Sequence, residues 1–137
     1  MQSITYRQDK KLPRNQVLSL YTALRWSSAY KPALLIKALA NSDTVISAWD
    51  GRQLIGLGNA ISDGHLVVYY PHLLVRPDCQ GQGIGREIMR RMQIKYGRFH
   101  QQSLLADPRA TEFYKKCGFE KAGRCEPLWI YHGRDHG

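Results

Sequence analysis

Three glycines fall within five residues in the run Gln80-Gly81-Gln82-Gly83-Ile84-Gly85. Before it stands an apolar stretch, HLVVYYPHLLVRP. After it, Ile84, Ile88, Met89, Met92 and Tyr96 recur at helical spacing, with Arg86, Arg90, Arg91, Lys95 and Arg98 on the other faces. Strand, glycine turn and helix in that order converge successive backbone amides on one point, where the positive helix end favours an anion. Glycine leaves room for a bulky diphosphate to approach the backbone. A dinucleotide fingerprint built on Gly81 and Gly83 would place its third glycine at 86, which is Arg86. A P-loop requires GK followed by Ser or Thr, whereas Gly85 precedes Arg86 and Glu87. Both nucleotide folds are excluded, leaving a phosphate cradle of another kind or a glycine turn without a ligand.

The rest of the chain supplies the elements around this run. Residues 2–8 read as an opening strand. Asn15 caps a helix carrying Val17, Leu18, Leu20, Tyr21 and Leu24, and a second helix spans Pro32 to Leu39 with proline in its first turn. TVISAW and QLIGLGNAIS flank Asp50-Gly51, and Asp63-Gly64 leads into residues 65–76, so two hairpins make a three-stranded antiparallel meander. Pro71 lies inside the third strand and lacks a ladder donor, which places a bulge or bend there. QSLLAD reads as a strand and PRATEFYKKCGF as a helix with Gly118 past its end. The remainder reads as two strands, for an order βααβββαβαββ and an α/β (α+β) fold with helices packed on a sheet.

Length and composition bound the function. At 137 residues, 43% hydrophobic and 23% charged, the chain is expected to form a single domain over 1–137. Its apolar runs are too short for a membrane span, and its first residues lack the pattern of a signal peptide, so a cytoplasmic location is expected. Twenty basic residues against eleven acidic give a net charge of +9, which favours an anionic ligand without choosing one. Cys79, Cys117 and Cys125 have no CxxC spacing, and the five histidines lack metal-binding motifs, so no metal and no acyl-cysteine are expected.

LLVRPDCQGQGIGREIMRRM resembles the cofactor-binding motif QxxGxG or QxxGxA of the GNAT superfamily of N-acetyltransferases, with Gln80, Gly83 and Gly85 at the matching positions. RATEFYKKCGF looks like that family's second landmark, through Ala110, Phe113, Tyr114, Gly118 and Phe119. The resemblance implies a mixed, mostly antiparallel central sheet flanked by helices, with acetyl-CoA as cosubstrate lying where residues 65–76 splay from the parallel strand 102–106. It implies that Leu73, Leu74 and Val75 pair with the pantetheine arm and that amides of Gly81, Gln82, Gly83, Ile84, Gly85 and Arg86 hold the pyrophosphate. Arg86, Arg90 and Arg91 then raise the potential around the phosphates. Asp107 stands where the family often has an asparagine that contacts pantetheine. Aspartate before proline also suits a helix cap, and the cap is the favoured reading.

The resemblance further implies direct acetyl transfer to an amine, with Tyr114 as general acid for the departing thiolate. The matching strand has no carboxylate, so Tyr69, His72 or a water relay are the candidates for the base. Counting back from Gln80 turns His72 away from the acceptor side, unless a bulge at Pro71 reverses that parity. The acceptor, a small-molecule or peptide amine, is expected near Trp26, Tyr30, Trp49, Trp129 and Tyr131, although Trp49 reads more as core. Dimers are common among proteins of this resemblance, so a homodimer is admitted. The alternatives are a non-catalytic CoA-binding protein or a basic nucleic-acid-binding module. The chain shows no recognised nucleic-acid motif that would favour the second.

Overall fold

The computed structural model describes residues 3–135. The β-rich half forms as its sequence directs: β2 (Thr44–Asp50) and β3 (Gln53–Ser62) join through Asp50-Gly51, where Gly51 adopts the left-handed conformation at φ +60°. At the next turn the Asp63 carboxylate accepts from the amides of His65, Leu66 and Val67, and Gly64 supplies φ +81°. The expected third strand is two short ones, β4 (Val67–Tyr69) and β5 (Leu73–Val75), both antiparallel to β3. β1 (Thr5–Arg7) pairs with β2 at one edge, and β6 (Gln101–Ser103) runs parallel to β4 at the other. The result is the mixed, mostly antiparallel sheet expected from the sequence.

Helices cover both faces. α1 (Arg14–Ala23) and α2 (Pro32–Ala40) bury Val17, Leu20, Tyr21, Leu35 and Leu39 against Val45, Trp49, Leu54, Leu57 and Leu74. α3 (Ile84–Tyr96) lays Ile84, Ile88, Met89, Met92 and Tyr96 on the opposite face over Ile46, Ile55, Val68 and Tyr70. α3 packs closely on β3 at two glycines. A Cβ added at Gly56 would stand 2.9 Å from Ile84, and one at Gly58 2.8 Å from Ile88. α4 (Thr111–Lys116) follows a 3-10 turn at Pro108–Ala110 and ends ahead of Gly118, at φ +99°. Trp49 is core, as expected. No helix among the described residues is long and apolar enough to cross a membrane.

Three expectations are corrected. Asn15 lies in the first turn of α1 rather than at its cap, because Pro13 takes the cap position and its carbonyl accepts the amides of Gln16 and Val17. The strand expected at 102–106 is β6, which ends at Ser103. The two closing strands are absent among the described residues. There Gly123 turns the chain at φ +57°, Pro127 removes a ladder donor, and the segment is instead tied to Ser27. Asp135 accepts the Ser27 amide at 3.0 Å, and the Tyr131 hydroxyl lies 3.0 Å from the Ser27 hydroxyl.

Candidate active site

The sheet opens at a change of register. Tyr69 stands opposite Ile61 and Leu73 opposite Gly58, so four steps on one strand answer three on β3. The extra residue makes a β-bulge over 70–72, where Pro71 has no amide hydrogen to leave unpaired. The bulge also exchanges faces: Val68 and Tyr70 join the cluster under α3, while Leu74 joins the one under α1 and α2. His72 is therefore carried to the α1 side. Alternation puts Tyr69 on that side too, so the parity reversal weighed for Pro71 is realised.

Beyond the bulge the ladder stops on one side. β4 is bonded to β3 and to β6, and the Tyr70 amide donates to the Ser103 carbonyl at 3.0 Å. β5 pairs with β3 alone. The Asn59 amide donates to the His72 carbonyl and the Arg76 amide to the Ile55 carbonyl, which fixes the alternation of bonded positions. It turns the peptide groups of Leu74 toward β3 and those of Leu73 and Val75 away from it, into the gap. Of the three residues named from sequence, Leu74 thus offers the gap no peptide group. The Gln80 side chain donates to the Val75 carbonyl at 3.0 Å, tying the glycine turn to β5.

Gly81 and Gly83 have φ of +81° and +82°, conformations that side chains rarely adopt. A Cβ at either would meet nothing within 4 Å, so packing does not explain these glycines. Gly83 is the residue before α3, and the first helical bond runs from the Glu87 amide to the Gly83 carbonyl at 3.0 Å. The amides of Ile84, Gly85 and Arg86 consequently have no acceptor within the helix. Gly85 is explained by packing: its Cβ would lie 3.2 Å from the Phe113 ring, which seats α4 beside the start of α3. Ile84 is buried core, while Gln82 is exposed.

Tyr114 projects from α4, half-buried, its ring edge-on to Phe113 at 5.0 Å and to Phe119 at 5.9 Å. Phe119 in turn meets Tyr70 at 6.0 Å, so α4 is held from both sides. Burial pushes the Tyr114 hydroxyl up to about 12, and it makes no hydrogen bond among the described residues. Ala110 occupies the position before α4. Asp107 caps the preceding turn: its carboxylate accepts from the Arg109 amide at 2.9 Å and from its guanidinium at 3.1 Å.

The base candidates differ. His72 Nδ1 lies 2.8 Å from the Tyr21 hydroxyl, and its ring meets those of Tyr21 and Trp26 edge-on at 5.4 and 5.1 Å. Burial lowers its pKa to about 4, so at pH 7 it is neutral. Tyr69 is 38% exposed, and partial burial raises its pKa. Sequence reasoning missed Asn59, a buried polar residue whose Oδ1 accepts the His72 amide at 3.0 Å and whose Nδ2 donates to Ser42 at 3.1 Å. An asparagine inside the apolar run QLIGLGNAIS was its only signal.

One electrostatic expectation changes. Glu87 accepts from Arg90 and Arg91, each at 2.8 Å, and the two guanidiniums hold its carboxyl down at about 2. Arg86 is exposed and has no ion pair among the described residues, so it is the arginine available at the glycine turn.

The split strand, the left-handed glycine turn at the start of α3 and the sheet covered by helices on both faces match the architecture that the sequence resemblance implies. The acetyltransferase (GNAT) domain family matches residues 9–126, and the chain belongs to that family. It is 37% identical over 68 residues to an uncharacterized N-acetyltransferase, ycf52, of Gracilaria tenuistipitata var. liui, covering 48% of this chain and 37% of that protein. It is 30% identical over 120 residues to the chloroplastic GCN5-related N-acetyltransferase 2 of Arabidopsis thaliana, covering 79% of this chain and 45% of the relative. The chain thus spans about half, or less, of the length of these curated relatives. Among solved structures, a GNAT-family acetyltransferase of Streptococcus pneumoniae superposes with a TM-score of 0.82 at 28% identity, over 94% of this chain and 98% of that one. An aminoglycoside N-acetyltransferase solved with CoA shares the fold, with a TM-score of 0.70 at 16% identity over 96% of this chain and 95% of that one.

Proposed function

We propose that this chain transfers an acetyl group from acetyl-CoA directly to an amine. The observation that carries the reading is the unpaired outer edge of β5 beside the unaccepted amides at the start of α3. Leu73 offers the gap a peptide donor and acceptor and Val75 a donor, its carbonyl already accepting from Gln80, a set suited to an amide-bearing arm. Gly83 and the amides of Ile84, Gly85 and Arg86 suit its diphosphate, with Arg86 adding positive charge. The thioester supplies the acyl group and leaves as a thiolate.

Tyr114 is the general acid that faces that thiolate, through a hydrogen bond to its sulfur. With its hydroxyl at about 12 it stays protonated at neutral pH. Against a thiol near 8.5, complete transfer is uphill by about 5 kcal/mol, so Tyr114 acts by hydrogen-bonding the sulfur as charge develops. An amine near pKa 10.4 costs about 4.6 kcal/mol to deprotonate at pH 7. His72, at about 4 and engaged with Tyr21, is too weak a base to lower that cost, and a water relay past Tyr69 takes the proton. The acceptor is an amine reached from the α1 side; among relatives, one from Oryza sativa is named for serotonin.

The test is release of free thiol from acetyl-CoA over a panel of arylalkylamines, amino acids and peptide N-termini. Tyr114→Phe is expected to lower kcat about 100-fold while the KM for acetyl-CoA changes far less. Wild-type turnover of no amine would overturn the transferase reading, and an unchanged kcat in the variant would remove Tyr114 from it.

A further inference from the structure

Asn59 stands inside the apolar run of β3 with 3% of its surface exposed, and a buried amide group in such a place must be hydrogen-bonded. Ile61 lies opposite Tyr69, and the Asn59 amide donates to the His72 carbonyl at 3.2 Å, so Tyr70 and Pro71 of the bulge together face Ala60. In a regular antiparallel pair the return bond would run from the His72 amide to the Asn59 carbonyl. Here it runs to Asn59 Oδ1 at 3.0 Å, so a side chain completes the pair that the extra residue disturbs.

The amide group is fixed at its other end as well. Nδ2 donates to the Ser42 hydroxyl at 3.1 Å, and that hydroxyl gives its one hydrogen to the Ala38 carbonyl of α2 at 2.9 Å. With the nitrogen on Ser42, the oxygen faces His72, the orientation that can accept an N–H. Tyr21 lies 2.8 Å from the ring nitrogen of His72, so residue 72 is held at backbone and side chain alike.

This residue sets the phase of β5. Regular alternation from Tyr69 would turn the peptide groups of Leu73 and Val75 toward β3 and those of His72 and Leu74 outward. The bulge inverts that order and brings Leu73 and the Val75 amide to the gap. We propose that Asn59 is the positioning residue for the acetyl-CoA arm: by accepting the His72 amide it holds the bulge that presents β5 to the ligand. The inference rests on the acetyl-transfer reading for its ligand, while the hold on the bulge is measured without one.

The experiment follows amide exchange residue by residue by NMR in the free protein, and titrates acetyl-CoA calorimetrically, in wild type and four variants whose folding thermal melts verify. Asn59→Leu keeps the branched outline and removes the acceptor, and in Asn59→Ser the hydroxyl stops short of the His72 amide. Asn59→Asp keeps an oxygen in place. Val45→Ala trims a buried residue across from Asn59 on β2, weakening the same sheet with the bulge bonds untouched. Measured against the amides of β2, which cancels global destabilisation, the His72 amide is expected to exchange at least about tenfold faster in Asn59→Leu and Asn59→Ser. Acetyl-CoA should bind about tenfold more weakly to both, whereas in Asn59→Asp and Val45→Ala both quantities should stay within about threefold of wild type. Absence of acetyl-CoA binding to wild type overturns this proposal together with the reading it rests on. If wild type binds, the positioning role alone is overturned by affinity retained in Asn59→Leu and Asn59→Ser, by a His72 amide still protected in both, or by an equal loss of affinity in Val45→Ala.

Discussion

His72 shows how one side chain's setting decides its chemistry. An unfolded histidine takes up a proton near pH 6.5, whereas the folded protein admits one only near 4, because burial penalises the imidazolium. As pH falls from 6.5 to 4 the unfolded chain gains a proton that the folded chain refuses, so stability is full above this window and declines through it, by up to about 3 kcal/mol. His72→Gln keeps a hydrogen-bonding group near Tyr21 and is expected to flatten that decline, read as the difference between the two proteins' urea midpoints from pH 7.5 to 4.5. At this scale Gly83, Gly85 and Tyr114 stood out in the sequence because each sits in a local pattern, and the left-handed turn at Gly83 and the packing of Gly85 on Phe113 are the physical reasons for the two glycines. It did not show the partners of His72, because Asn59 and Tyr21 reach it from 13 and 51 residues away and only the folded register brings them together.

Among the elements, the contact of α3 with β3 sets the site's geometry. Gly56 and Gly58 alternate along β3 on the face that receives Ile84 and Ile88, and a side chain at either would push the helix away. Gly58→Ala is expected to cost about 1–3 kcal/mol by overpacking, measured by urea denaturation, and to weaken acetyl-CoA binding because the start of α3 moves with it. α3, β2, β3 and both hairpins were legible from periodicity and Asp-Gly pairs. The split of β4 from β5 was legible only as a disturbance at Pro71, since composition does not reveal which neighbour each half pairs with. The closing strands failed as a reading because Trp129 and Tyr131 have strand-forming side chains, yet their segment is anchored at Ser27 through Tyr131 and Asp135.

At the scale of the whole molecule, the +9 charge divides into different uses. Glu87 neutralises part of the arginine cluster on α3, Lys95 pairs with Asp43, Arg7 stacks on Trp49 on the other face of the sheet, and Arg86 remains at the glycine turn. The central claim is that the β5 edge and the Gly83 turn receive acetyl-CoA. Its most direct measurement is a calorimetric titration of acetyl-CoA into wild type and Gly83→Ala. A left-handed alanine costs about 1–2 kcal/mol and so shifts the turn that presents these amides, and one-site binding is predicted for wild type with an affinity about tenfold lower in the variant. Absence of binding to wild type, or equal affinity in the two proteins, would contradict it.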